Sequence, residues 1–364
     1  TSSSITRGFK AGYNIMQTSG KEGVNGGAGG NGATGGDGGT GGNAGGGGGS
    51  GYQDGSVTVI DTKQGGGGED PVRVVLRLQL FNPIVEVEYT TAGTYSWTCP
   101  NGVTSVCVIC VGGGAGGDNG WGNSSGGGGG TGWKNNIPVT PGQSYTVVVG
   151  AGGVGSGQNY SIGDPGTAGG DSYFINTSTV KGAGGGSPND TAHGGSYTGD
   201  GGGNGGRGTL GASNSGGGGG GAGGYSGNGG DGSKTGAGSD GAGGGGGGGG
   251  NGTYGASYNM EVYGGCGGGV DIYGEGLSGT GGPDSGATGT RHGLRGSGPA
   301  ASVSWWEHQL YGGGGRMGPK VNLGSIFGRG GYNGGVGAVR IIWATAATGA
   351  RSFPSTNVTN LNPP

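Results

Sequence analysis

Strand-like apolar patterns are confined to the two ends of this chain, and the long middle has almost none. Ser56 to Asp61, Val72 to Phe81 and Ile84 to Thr91 form a first group of predicted strands. Within it Val72-Arg73-Val74, Leu76-Arg77-Leu78-Gln79-Leu80 and Val85-Glu86-Val87-Glu88 alternate, so one face is expected wet and the other buried. A second group comprises Gly93 to Cys99, Val103 to Val111, Ser144 to Val149, Ser172 to Asn176 and, after the glycine region, Val336 to Thr345. Asn101-Gly102 between two of these runs predicts a hairpin, and Pro141-Gly142 a turn. Helix signals are nearly absent. From Gly182 to Glu261 the only large aliphatic or phenylalanine residue is Leu210, so no side-chain core is available there. Because Val336 to Thr345 needs earlier strands to pair with, the glycine region reads as an excursion that leaves a small sheet and returns to it.

Glycine makes up 118 of 364 residues, against 28% for all hydrophobic residues. Its spacing is periodic: Gly occupies 23, 26, 29, 32, 35, 38 and 41, and the third position carries Asn25, Asn31, Asp37 and Asn43. The same phase recurs at Gly199 to Gly211 and at Gly218 to Gly230. A three-residue repeat with two small faces and one polar stripe fits a threefold helix of the polyproline II type, rising about 3.1 Å per residue. Collagen is excluded because these segments contain no proline. Without proline every N–H is kept, and a bundle of such helices would satisfy those groups by pairing with neighbours. The competing reading is Gly/Ser coil, favoured by the entropic cost of ordering glycine and by the aperiodic run Gly243 to Gly250.

The predicted fold class is therefore all-β plus polyglycine II: a small β-sheet domain, built from the ends, enclosing a bundle of threefold glycine helices. The expected divisions are 1–55, an N-terminal segment with the first glycine repeat, and 56–91, a strand segment for attachment or assembly. A glycine-rich domain then spans 92–345, with its sheet base in 92–181 and 336–345 and its bundle in 182–335. A tail, 346–364, follows.

Seventeen Lys and Arg against 20 Asp and Glu leave a net charge of −3, which argues against both a basic nucleic-acid binder and an acidic solvating tail. No stretch of about 18 residues is predominantly apolar, so membrane insertion is not expected. The sequence opens at Thr1 and residues 1–21 lack the apolar core of a signal peptide, which is read as processing or trimming. Cys107-Val108-Ile109-Cys110 has the spacing of a redox or zinc pair. Inside a strand, however, positions three apart face opposite ways, so buried thiols are expected, with Cys99 and Cys266 left open as disulfide candidates. His193, His292 and His308 stand singly, and glycine-rich matches to G-x-G-x-x-G are uninformative in this composition. Neither catalytic residues, nor a metal, nor a cofactor is expected.

The aromatics interrupt the glycine runs. Rings such as Trp121, Trp133, Tyr160, Tyr197, Tyr225 and Tyr311 are read as covers lying over glycine backbone. Where aromatics cluster with polar residues, at Tyr254, Tyr258 and Tyr263 and at Trp305, Trp306 and His308, exposure in loops is expected. Together with Asn189 and Asp190 these are the candidate receptor-binding residues, since aromatic faces beside Asn, Asp and Ser suit carbohydrate and adaptable protein contacts.

Gly93-Thr94-Tyr95-Ser96-Trp97-Thr98-Cys99-Pro100, the run Val103 to Gly114, and Lys134 to Gly153 resemble the opening of the glycine-rich domain of phage virion proteins, especially those of marine cyanophages. Gly337 to Trp343 resembles its close, and Arg351 to Asn357 the tail of the same proteins, so the likeness covers about 89–358. The architecture is also similar to the distal tail-fibre adhesins of T-even-like phages, whose glycine motifs form a polyglycine sandwich and whose loops contact the host. Cys99, Cys107 and Cys110 depart from the simple apolar residues usual in such strands, and Thr1 to Glu88 has no counterpart. The resemblance implies a non-enzymatic, extracellular virion protein, a tail fibre or fibre-tip adhesin. Its implied partners are a host-surface receptor, protein or glycan, and other fibre subunits in a homo-oligomer. The alternatives are a purely structural filament subunit without a receptor and, less consistent with Asn25, Asp37 and Asn43 on the stripe, an ice-binding surface.

Overall fold

The computed structural model describes residues 61–62, 74–75, 86–118, 124–156, 165–188, 192–210, 215–253, 264–283, 311–316, 331–344 and 351–354. The chain divides into two units, Thr1–Asn82 and Pro83–Pro364. In the first, β1 (Asp61–Thr62) pairs antiparallel with β2 (Val74–Val75). The Gly23 to Gly41 repeat lies outside the described residues.

The second unit is all-β, with no helix among its described residues. Its strands are β3 (Glu86–Tyr89), β4 (Gly93–Thr98), β5 (Ser105–Val111), β6 (Thr131–Pro138), β7 (Ser144–Val149), β8 (Ser172–Phe174), β9 (Val180–Gly182), β10 (Tyr197–Thr198), β11 (Gly201–Gly203), β12 (Ser215–Gly216), β13 (Gly252–Thr253) and β14 (Ala338–Ile342). Two five-stranded antiparallel sheets result, ordered β10-β9-β8-β7-β4 and β11-β6-β5-β14-β3, while β12 and β13 form a separate pair. As the sequence pattern predicts, β14 returns across the glycine region to lie beside β5, Val339 opposite Cys110 and Ile341 opposite Val108. On its other side β14 pairs with β3, which places residues 86–89 in this sheet.

The Asn101-Gly102 turn differs from expectation. β4 pairs with β7 and β5 with β6 and β14, so the turn joins two sheets and closes no hairpin. Gly102 stands at φ +80° and the Val103 N–H donates to the Pro100 carbonyl at 3.2 Å, a tight reversal that a Cβ would strain. Pro141-Gly142 makes the same kind of crossing from β6 to β7, with Gly142 at φ +78°.

Alternation sorts β5 into two cores. Val106, Val108 and Cys110 join Trp97, Val147, Val149, Phe174, Val180, Val339 and Ile341, a cluster fed by both sheets. Cys107, Ile109 and Val111 face the other way, onto Ala222, Tyr225, Val270, Ile272 and Phe353, the few apolar side chains that the glycine segments and the tail supply. Cys107 and Cys110 thus point to opposite faces, and all four cysteines are buried thiols outside any disulfide.

The Glu86–Glu88 face, expected wet, is enclosed. Fully buried Arg340 donates to Glu86 Oε2 at 2.7 Å and to the Ile272 carbonyl at 3.0 Å, and Arg351 reaches the same Glu86 oxygen at 2.6 Å. The Tyr273 ring lies 4.6 Å from the Arg340 guanidinium and its hydroxyl donates to Glu88. Two arginines therefore compensate a carboxylate that strand alternation alone would leave in water.

Beyond the sheets run extended glycine segments that bond to one another by a rule of three. The N–H groups of Gly112, Ala115 and Asp118 donate to Gly130, Gly127 and Ser124; those of Gly113 and Gly116 donate to Gly170 and Thr167; those of Gly114 and Gly117 donate to Gly335 and Tyr332. Along 218–224 the three neighbours are reached in the same rotation: Ser233, Gly230 and Gly227; Gly265 and Gly268; Gly126 and Gly129. Acceptors that fall by three mark antiparallel neighbours, and those that rise by three mark parallel ones. Main-chain pairing does here what side-chain burial does in the sheets. Glycine is required at the contacts because a Cβ on Gly205 would land on the Gly128 carbonyl, and one on Gly128 on the Gly221 carbonyl.

Candidate functional site

The glycine segments have two different ends. At one they join the strands: 112 follows β5, 150 follows β7, 183 follows β9, and Gly337 leads into β14. At the other, far end neighbouring segments bond to one another. Asp118 donates to the Ser124 carbonyl across 119–123, and Ala192 donates to the Ser187 carbonyl across 189–191. Gly265 donates to Gly250 across 254–263, and Tyr332 to Arg316 across 317–330. These flanks are also joined sideways. Ser124 bridges to Leu210, Gly208 donates to Ala192, Ser156 to Gly117, Gly218 to Ser233, and β12 to β13 brings Gly216 opposite Gly252. The described residues that flank 119–123, 157–164, 189–191, 211–214, 254–263 and 317–330 are all at this one end.

The candidate receptor residues Asn189, Asp190, Tyr254, Tyr258, Tyr263, Trp305, Trp306 and His308 all lie outside the described residues. The flanks of 189–191 and of 254–263 are both at the far end, on different segments. Trp305, Trp306 and His308 are flanked differently. The described residue that follows them, Tyr311, pairs with Val270 beside the second apolar cluster, at the sheet end.

Of the aromatics expected to cover glycine backbone, Trp133 does so from within β6, its indole lying against Gly201 while Nε1 donates to the Tyr225 carbonyl at 2.8 Å. Tyr225 itself is fully buried, with its hydroxyl accepting from the Gly274 N–H and donating to the Asp271 carbonyl. Tyr197 belongs to β10 and is exposed. Arg316 stacks on Tyr332 at 4.0 Å at the far end.

Sequence reasoning found the polar stripe but missed its work. Asn228 Oδ1 accepts the Asn204 N–H at 2.9 Å, Asp231 Oδ1 the Arg207 N–H at 2.6 Å, Asp240 Oδ1 the Gly281 N–H at 2.7 Å and Asp171 Oδ1 the Gly184 N–H at 2.9 Å. Short polar side chains close the outward amides that no neighbouring segment reaches. The signal was the three-residue spacing of Asn204 with Arg207 and of Asn228 with Asp231.

Electrostatics add little chemistry. The Lys134 hydrogen bond holds the Asp200 carboxyl below its ordinary range, while burial pushes the Cys99, Cys107, Cys110 and Cys266 thiols up. Among the described residues no three His, Cys, Asp or Glu side chains converge as a metal-binding group, and no helix is long and apolar enough to cross a membrane.

The model of the glycine-rich domain family matches residues 90–344, and the chain belongs to that family. No curated protein matches the chain.

Proposed function

We propose that this protein is a non-enzymatic phage virion component, a tail-fibre or fibre-tip adhesin in which a polyglycine II bundle carries host-binding loops. The period-three exchange of main-chain hydrogen bonds is what parallel and antiparallel threefold glycine helices would make. The observation that carries the functional reading is that the described flanks Asp118 and Ser124, Ser187 and Ala192, Gly250 and Gly265, and Arg316 and Tyr332 bond to one another at the end opposite the sheets. A scaffold held by its backbone tolerates variation in such loops, and binding residues concentrate in loops set on rigid frames. Tyr254, Tyr258 and Tyr263, flanked at that end by Thr253 and Gly264, are the first candidates for receptor contact, followed by Asn189 and Asp190. Trp305, Trp306 and His308 rank after them because Tyr311 is at the sheet end. In the virion the protein would meet other fibre subunits as a homo-oligomer.

The test is attachment of purified protein to a panel of marine cyanobacterial strains, run beside a melting curve. Tyr258→Ala with Tyr263→Ala is expected to abolish attachment at unchanged melting temperature. Attachment that survives the double substitution, or that is lost only together with folding, moves the structural-filament reading ahead. That reading has one observation in its favour: β4 ends its sheet with no strand on its outer side among the described residues. Electron microscopy separates the two, since discrete particles favour a fibre element and indefinite polymers a filament.

A further inference from the structure

Four neighbouring runs of the glycine segments (193–194, 204–207, 228–231 and 239–240) line an open cleft of about 460 Å³. That is within the range of small-molecule sites, roughly 300–1,000 Å³. We infer that this cleft binds a pyranose unit of a neutral saccharide. Its floor is glycine main chain fixed by hydrogen bonds: Gly205 donates to Gly195, Gly229 to Asn204, Gly230 to Gly246 and Ser239 to Asp231. Its polar side chains are His193, Asn204, Arg207, Asn228, Asp231, Ser239 and Asp240.

Three of these are already oriented. Asn228, Asp231 and Asp240 each hold a main-chain N–H with Oδ1. Asn228 Nδ2 is thereby presented as a donor, and the second oxygens of Asp231 and Asp240 as acceptors. Arg207 adds a donor fork and Ser239 a hydroxyl, which gives and takes. Little ordering is left for a ligand to impose, and preorganisation of this kind favours affinity.

The lining also selects the ligand's chemistry. No aliphatic side chain and no Phe, Tyr or Trp contributes, which disfavours an apolar ligand. Two carboxylates beside one guanidinium disfavour phosphate and other anions. A ligand whose every polar group both donates and accepts matches mixed donors and acceptors at short spacing, and the vicinal hydroxyls of a pyranose are such groups. The inference is independent of the loop reading: every lining residue is in the described scaffold, and the test below involves no host cell.

The test is a set of ¹H–¹⁵N spectra of the full chain titrated separately with glucose, galactose, mannose and N-acetylglucosamine to about 50 mM, with sodium phosphate as the rival probe. At least one sugar is expected to shift the Gly229 and Gly230 amides and the Asn228 side-chain amide in a saturable way, with phosphate leaving them in place. Asp231→Asn keeps the acceptor for the Arg207 N–H, so the fold is retained, and it is expected to weaken that sugar about tenfold. Ser239→Ala, which touches no main-chain bond made by a side chain, is the second variant should the first melt early, and it too is expected to weaken binding. The inference is overturned if no sugar shifts these signals, if phosphate does so in their place, or if the shifts persist unchanged in the folded variants.

Discussion

Glu86 is the residue on which the tail and the second sheet meet. Its carboxylate is shared by Arg340 and Arg351, partners 254 and 265 positions further along the chain. Burial by itself pushes the Glu86 carboxyl up, but the hydrogen bonds and charges of Arg351 and Arg340 outweigh it and hold the group below its ordinary value of 4.5. A group with a depressed folded pKa contributes stability that is complete above its unfolded value and is lost as pH falls through the folded one. Glu86→Gln is therefore expected to destabilise the protein at pH 7 by about 3–5 kcal/mol, since it removes the carboxylate that two buried guanidinium groups share and leaves Arg340 with the longer Glu88 pair at 3.4 Å. The melting temperature of the variant should also fall less than that of the wild type between pH 5 and about pH 3. Equal pH slopes in the two proteins would remove Glu86 from the account. The alternation of Val85-Glu86-Val87-Glu88 separates the two faces and reads the Glu side as the wet one; it is enclosed because arginines remote in sequence compensate it.

Glycine gives a second test at this scale. Gly205→Ala drives a Cβ onto the Gly128 carbonyl and is expected to cost about 1–3 kcal/mol. Gly236→Ala, where the nearest atom to a Cβ is Ser233 Oγ at 4.0 Å, is expected to change stability by less than about 0.5 kcal/mol. Urea denaturation of the two variants checks the contrast, and equal effects would mean that segment contact does not set the need for glycine.

Among the elements, those with apolar alternation were legible and those made of small or polar residues were not. β5, β7 and β14 declare themselves through Val and Ile, and the return of β14 to β5 follows from a strand's need for partners. β11 is Gly-Gly-Gly and the middle of β6 is Trp-Lys-Asn-Asn, so neither carries a strand signature; both are strands because an existing edge offers them hydrogen bonds. Asn101-Gly102 misled for a related reason: a tight turn specifies a reversal of the chain, and which sheet the next strand joins is decided by the core it can fill. The same alternation settles the cysteine pair. With Cys107 and Cys110 on opposite faces of β5 and all four thiols raised by burial, a thiol reagent such as DTNB is expected to label none of them in the native protein at pH 8 and all four in denaturant. Rapid native labelling of Cys107 and Cys110 would restore the redox or zinc reading of their spacing.

For the whole second unit the decisive property is that its two ends obey different physics. At the sheet end, apolar side chains from β5 and β14 meet Tyr225, Val270 and Ile272, and the reversals there are tied down: Gly224 donates to Gly227, Ser226 Oγ to Glu275, and Gly245 to Ala242. At the far end, Thr209 pairs with Gly218 and Ser124 with Leu210, main-chain contacts between the described segments with no apolar cluster beside them. The polarity of the segments was not legible in their composition, since a Gly-Gly-Asn repeat reads alike in both directions; it appears only once hydrogen-bond partners are traced. Insertion tolerance is the corresponding measurement. A ten-residue Gly/Ser insertion at 211–214, between Leu210 and Ser215, is expected to cost no more than about 1 kcal/mol, because loop lengthening costs about 0.6 kcal/mol per doubling and four residues become fourteen. The same insertion between Ser226 and Gly227 separates the Gly224–Gly227 bond and pulls at Tyr225 in its apolar cluster, and is expected to cost about 1–3 kcal/mol or more. Equal losses at the two positions would mean that 211–214 is part of the bonded scaffold, and the division into a sheet end that holds and a far end that presents would have to be given up.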